Sequence, residues 1–176
     1  VEEELHIGRI HGPRVGFGTY PQYYQSPHGG SVIDLRLFPV DHYLASILIS
    51  GRVPYISSQV WFPGIDERVL RRYLLETYCL LAPAAREYLD PANAVTGITY
   101  QAGEDTSMTV LEVLKKKKLD AIDRTAVQYA NGLRVYADYR SKSWLVHPDE
   151  KAGFEIAGDG FLAWNGKTGL LAFTGL

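Results

Sequence analysis

The chain has 176 residues, which at about 150 residues per domain is one domain or two small ones. Hydrophobic residues make up 46% and charged residues 22%, which excludes a disordered tail, a collagen-like chain and a disulfide-stapled miniprotein. The formal net charge is -2, so no global basic field draws nucleic acid, and none is expected as a partner.

Tyr outnumbers Phe by 12 to 6, an excess that suits sugar clefts and protein interfaces, where a surface is part apolar and part hydrogen-bonding. The single cysteine, Cys79, excludes an intrachain disulfide and a paired-cysteine metal site. It lies in an apolar helical stretch and reads as a small buried hydrophobe. Val1-Glu2-Glu3-Glu4 has neither the basic nor the apolar region of a signal peptide. The longest apolar run, Tyr43 to Ile49, is too short to span a bilayer, so no membrane partner is expected and no localisation is assigned. The chain opens on Val rather than Met, which suggests a processed protein or a fragment.

The chain divides at residues 91 and 92 into a mixed α/β segment and a β-rich segment. In the first, the glycines and prolines of GRIHGPRVGFGTYPQYY, from Gly8 to Tyr24, predict short strands and loops. Ser26 to Ser31 is a loop, and Ile33 to Leu37 alternates like a strand. Tyr43, Leu44, Ile47 and Leu48 fall on one helical face, with Asp41 as N-cap and Gly51 just past the C-terminus. Arg52 to Ile56 reads as a short strand. Ile65 to Leu81 is the clearest helix, with Val69, Leu70, Tyr73, Leu74, Thr77, Leu80 and Leu81 in an apolar stripe. Asp66 and Glu67 favour its start through the macrodipole. Pro83 marks a kink or the first turn of a further short helix reaching Leu89.

From Ala92 onward the chain reads as all-β. Ala126 to Tyr136 is a hairpin, and Asn131-Gly132 predicts a two-residue type I′ turn. That turn places Gln128 opposite Val135 and Val127 opposite Tyr136. Further strands are predicted at 143–147, 153–156, 160–165 and 169–174, with a second turn from Asn165 to Gly169. Their shortness and even spacing predict a small antiparallel β-sandwich. The expected class is therefore α+β. Val110 to Lys118 suits strand or helix, and Lys115 to Lys118 reads as a solvated edge or loop rather than a binding patch.

The chemistry-bearing residues form no complete catalytic set. Five histidines, His6, His11, His28, His42 and His147, include no i, i+4 pair and no HExxH, so no metal is expected. There is no nucleophile elbow and no Walker loop, and no cofactor is expected. Asp34, Asp41, Asp66 and Glu67 lie near many aromatics, but no spacing singles out the facing pair that glycoside hydrolysis needs. Asp41 and Asp66 also sit where helix caps belong. Tyr20, Tyr23 and Tyr24 are placed to stack on sugar rings or to pack a half-buried strand.

Three segments, Tyr129-Ala-Asn-Gly-Leu-Arg-Val-Tyr136, Ser143-Trp-Leu-Val146 and Gly160-Phe-Leu-Ala-Trp-Asn165, resemble the C-terminal β-domain of large bacterial glycoside hydrolases. Upstream, Asp41-His-Tyr-Leu-Ala followed by Leu48 and Gly51, then a strand and a long helix, is similar to the last βα units of a (β/α)8 barrel in such enzymes. This chain has Ser50-Gly51-Arg52 where that pattern reads Tyr-Gly-His, so no ligand role carries over to Arg52. The resemblance implies that residues 1 to about 90 end a catalytic barrel whose nucleophile and acid lie on earlier strands. Barrel sites lie at the C-terminal ends of the strands. On that geometry Tyr20, Tyr23, Asp41 and His42 are the candidate substrate-binding residues at the rim of a sugar cleft.

Two readings follow. In the first, the chain is the C-terminal part of a glycoside hydrolase, contributing the cleft rim and an accessory β-sandwich. Its partners are a carbohydrate and the rest of a larger polypeptide or a partner chain. A severed barrel end would expose Ile47, Leu48, Leu70 and Leu74. In the second, it is a stand-alone carbohydrate-binding or structural module, with Trp61, Trp144 and Trp164 as stacking platforms. In sequence, Trp144 and Trp164 also suit the sandwich core.

Overall fold

The computed structural model describes residues 24–25, 31–32, 40–51, 67–90, 92–103, 106–140 and 142–174. The strands expected at 33–37 and 52–56, and Asp34, Trp61 and Asp66, lie outside these residues. The fold is α+β. A short antiparallel pair, β1 (Tyr24–Gln25) and β2 (Ser31–Val32), precedes helix α1 (Val40–Ile49). Helix α2 (Glu67–Glu76) runs through a π turn (Thr77–Leu81) into α3 (Ala82–Tyr88). Then come β3 (Val95–Ala102), α4 (Val110–Lys115), a 3-10 turn (Leu119–Ala121), β4 (Ile122–Tyr129) and β5 (Arg134–Asp138). The chain continues with β6 (Trp144–Val146), β7 (Phe154–Ile156), β8 (Phe161–Asn165) and β9 (Leu170–Phe173). All four strands expected after residue 140 are present.

Strands β3, β4, β5, β8 and β9 form one antiparallel sheet in that order, and β6 and β7 form a second. Side chains alternate between faces along a strand. Ile98, Val127, Val135, Ala163 and Ala172 lie side by side across the large sheet and face the helices. Ala126, Tyr136 and Leu162 form the adjacent row and face Val146, Ile156, Trp144 and Phe154 of the small sheet. The two sheets make the small sandwich, and the helices add a third layer.

Helix α1 is the centre of that layer. Leu44, Ala45, Ile47, Leu48 and Ile49 are all completely buried. Apolar positions on nearly every side make a helix that must be enclosed. The sheet covers it on one side and the π turn packs against it on another. Each buried leucine or isoleucine contributes about 1.5–3 kcal/mol. Gly51 ends the helix as expected, at φ 63° with its N–H on the Leu48 carbonyl. A Cβ there would also lie 3.0 Å from the Tyr129 hydroxyl of β4, so this glycine permits both the cap and the contact with the sheet. The stretches on either side of residues 91 and 92 share this core, since Leu44, Ile47 and Leu48 lie in one buried cluster with Val135, Phe161 and Ala163.

Several expectations are corrected. Ile47 and Leu48 are enclosed rather than exposed, because the sheet supplies the surface they need. Leu74, placed in the apolar stripe of its helix, is 38% exposed, and the side chain of Leu70 lies outside the described residues. Cys79 is exposed, not buried. It lies in the π turn between Thr77 and Leu81, which carry the buried face, so its apolar neighbours in sequence are not neighbours in space. Pro83 does start a new helix, and the π turn explains how. The Ala82 N–H reaches the Thr77 carbonyl, which widens the helix where the proline ring would press on the carbonyl of Cys79. Val110–Lys115 is a helix, set by a capping box in which Thr109 and Glu112 bond each other's backbone N–H.

The β4–β5 hairpin differs by one residue from the expected register. Val127 pairs with Val135 and Gln128 with Arg134. The Tyr129 N–H bonds the Leu133 carbonyl, so the loop has three residues, with the positive φ at Gly132 alone. Asn131 is held otherwise: its N–H donates to Asn93 Oδ1 at 3.0 Å and its side chain accepts from the Leu133 N–H at 2.9 Å. The register decides the fold, because a slip of one residue would send Val135 to the wrong face.

Gly160 opens β8 under tight constraint. A Cβ there would lie 2.2 Å from Thr174 Oγ1 and 2.6 Å from the Ala157 carbonyl oxygen. Thr174 Oγ1 already accepts the Phe161 N–H at 2.9 Å. Gly160→Ala is expected to destabilise the fold by about 1–3 kcal/mol in urea unfolding. Wild-type stability in that variant would show that this corner has room to move.

Candidate functional site

The rim residues meet the structure unequally. Tyr20 and Tyr23 lie outside the described residues, and His42 lies in α1 with its side chain outside them. Asp41 is described. It sits inside the first turn of α1 rather than at the cap, where a carboxylate still favours the macrodipole. Its side chain is taken by a partner from another helix. Arg72 Nη2 donates to Asp41 Oδ1 at 2.7 Å and to Oδ2 at 2.8 Å, while Arg72 Nε donates to Glu76 Oε1 at 2.6 Å. The Glu76 bond, with help from Asp41, raises the already high pKa of Arg72 further.

Arg72 therefore ties α1 to α2 and remains 52% exposed. Beside it, Glu76 Oε2 and Thr77 Oγ1 are buried with no hydrogen-bond partner among the described residues. Thr77 starts the π turn, and such turns frequently mark functional positions. The cluster thus offers an exposed guanidinium and two carboxylates along one ridge, and His42 follows Asp41 directly in the chain. Vicinal hydroxyls match that arrangement, since one donates to a carboxylate while its neighbour accepts from the guanidinium. Among the described residues no group of three or more His, Cys, Asp or Glu is placed to hold a metal ion. Of the other candidate carboxylates, Glu67 is exposed at the start of α2.

Sequence reasoning missed Arg72, Glu76 and Thr77. The i, i+4 spacing of Arg72 and Glu76 was a readable signal. The link from Arg72 to Asp41 spans 31 residues and leaves none.

Trp144 and Trp164 are engaged within the fold. Trp144 meets Tyr136 edge-on at 5.6 Å between centroids, and the Arg124 guanidinium lies 5.1 Å from its ring centre. Trp164 packs over Gly166, where a Cβ would come within 2.7 Å of the ring. Both flank the core between the two sheets.

A second polar cluster closes the far end of β5. Arg124 donates to Asp138 Oδ2 and to the Ser143 carbonyl, each at 3.0 Å. The Arg140 N–H donates to Asp138 Oδ1 at 2.9 Å, and the Arg140 side chain pairs with Asp123. Asp138 is completely buried, and this burial pushes its pKa up against the opposing Arg140 N–H and Arg124. These bonds hold the segment that carries the chain from β5 to β6.

No protein-family model, curated protein or solved structure matches this chain.

The raised pKa of Asp138 sets a sign for pH dependence. The folded state binds the proton more tightly than the unfolded chain, so its contribution is full below the ordinary value of 3.8 and is lost as pH rises through the folded value. Asp138→Asn removes this titration and adds a pH-independent offset from the unpaired Arg124. The stability of wild type relative to the variant is expected to fall as pH rises above about 4 in denaturant titrations. A difference that grows with pH would show that Arg124 outweighs burial.

Proposed function

We propose that this chain is the C-terminal part of a glycoside-hydrolase-like protein, with the α1–α2 ridge at the rim of a sugar cleft and the two sheets as an accessory sandwich. The observation that carries the reading is the Arg72 bridge between Asp41 and Glu76. It places an exposed charged donor and one partly exposed acceptor, Asp41, at the helix turn that bears His42. The cluster binds and orients; proton transfer at the glycosidic bond falls to carboxylates elsewhere in the larger protein.

A second feature supports the larger assembly. Leu75 and Tyr78 are 56% and 76% exposed on the outer side of the α2–π segment, beside Leu74. An apolar strip of this kind suits packing against further polypeptide. The alternative is a stand-alone binding or structural module. The shared core of α1 and the sheet favours it. The engagement of Trp144 and Trp164 within the fold weighs against their use as stacking platforms.

Two measurements test this. Saturation-transfer NMR with a panel of neutral α- and β-linked gluco-oligosaccharides should give signal that Asp41→Ala and Arg72→Ala each weaken about tenfold, roughly the loss of one charge-assisted hydrogen bond. The folds of both variants should persist, because an exposed ion pair contributes only about 0–1 kcal/mol. Saccharide binding unchanged in both variants, or absent throughout, would overturn the rim assignment. An antibody against this chain should detect a band several times larger than 19.7 kDa in source cells. A band near 19.7 kDa would favour the stand-alone module.

A further inference from the structure

The lysine run has no part in the cleft, and its structure is unusual. Helix α4 presents Leu111 and Leu114 to solvent at 65% and 53% exposure. Three residues apart, they lie on one side of the helix, with Lys115 four residues from Leu111. Val113, between them in sequence, is completely buried against β3 and anchors the helix. The leucines therefore project from a fixed base.

Lys115, Lys116 and Lys117 follow and are all exposed. The helix ends in a Schellman turn: the Lys117 N–H bonds the Leu114 carbonyl and the Lys118 N–H bonds the Val113 carbonyl, each at 3.1 Å. The residue at its left-handed position is Lys117, at φ 53°. Glycine is the residue that fits there without strain. Gly51 and Gly132 meet the same demand elsewhere in the chain. At position 117 a cation is kept where local stability favours glycine. Among the described residues the acidic groups of this segment are Glu112, which holds the capping box with Thr109 and lies within reach of the Lys115 and Lys116 charges, and Asp120. Against these two stand the three exposed lysines.

We propose that α4 and its lysine turn form a peripheral contact with an anionic lipid surface, the two leucines entering the interface and the lysines meeting the headgroups. Apolar side chains beside clustered lysines are the combination such surfaces select. Two leucines are too little area for a stable protein interface. A nucleic-acid site would draw on arginine and stacked aromatics, and the exposed leucines would serve it no purpose.

The full chain is tested by co-sedimentation with vesicles of phosphatidylcholine alone and of phosphatidylcholine with about one third phosphatidylglycerol, at about 0.1 M salt. Binding is expected on the anionic vesicles only. Lys115→Glu, Lys116→Glu and Lys117→Glu together should lower the partition coefficient about a hundredfold or more. Leu111→Asn with Leu114→Asn should also lower it several-fold. Lys117→Gly separates structure from binding: its melting temperature should rise while its vesicle binding falls. Absence of binding to anionic vesicles, or equal binding to neutral ones, overturns the proposal. So does a leucine variant that binds as wild type does, above all if wild type and that variant bind a short DNA duplex equally.

Discussion

A five-stranded sheet with apolar residues on both faces has to be covered twice, and the two covers here demand different surfaces. The helix-facing side carries Ala137, Ala163 and Ala172, small residues that let the helices and the π turn come close. The opposite side carries Tyr136 and Leu162, which reach into the β6–β7 hairpin. Strand alternation keeps the two sets apart only while the register holds. The three-residue β4–β5 turn therefore matters beyond its own hydrogen bonds. It aligns Val127 with Val135 on the helix side and Ala126 with Tyr136 on the hairpin side.

Buried polar groups fasten the seams between these layers. At one end, Glu87 of α3 accepts from Asn165 Nδ2 at 2.7 Å and from the Thr168 hydroxyl, while its backbone carbonyl accepts from Asn93. Asn93 in turn holds the Asn131 N–H. One helix end thus grips both the β4–β5 and the β8–β9 turns. At the other end, Asp138 with Arg124 secures the passage from β5 to β6. Removing one partner of a buried pair of this kind leaves an uncompensated charge, at a cost of about 3–5 kcal/mol. Such groups do more to select an arrangement than to strengthen it.

Much of this arrangement was legible in the sequence because its signals are local. Short apolar runs between turn signals located β6 to β9, and the glycines at 51, 132 and 169 marked chain reversals that need a left-handed residue. The errors share a cause. Asp41 reads as a cap because nothing local announces Arg72, 31 residues away. Asn131-Gly132 reads as a two-residue turn because the bond from Asn93 that fixes Asn131 comes from 38 residues upstream. The capping box at Thr109 and Glu112 was local and readable, and it decides α4 as helix. Of the rim residues, only Asp41 can be followed to its contacts, and they reveal Arg72 and Glu76 as its companions.

The seat of α1 also bears on how the chain reaches its native state. The helix ends at residue 49, yet it packs on β5, which begins at residue 134, and on β8, which begins at residue 161. Contacts of such long sequence separation close late and slow folding. During synthesis α1 leaves the ribosome more than a hundred residues before β8. Until then Leu44, Ile47 and Leu48 have no sheet to cover them. The segment that ends as the most deeply buried helix is, for that interval, the one most in need of shelter from aggregation.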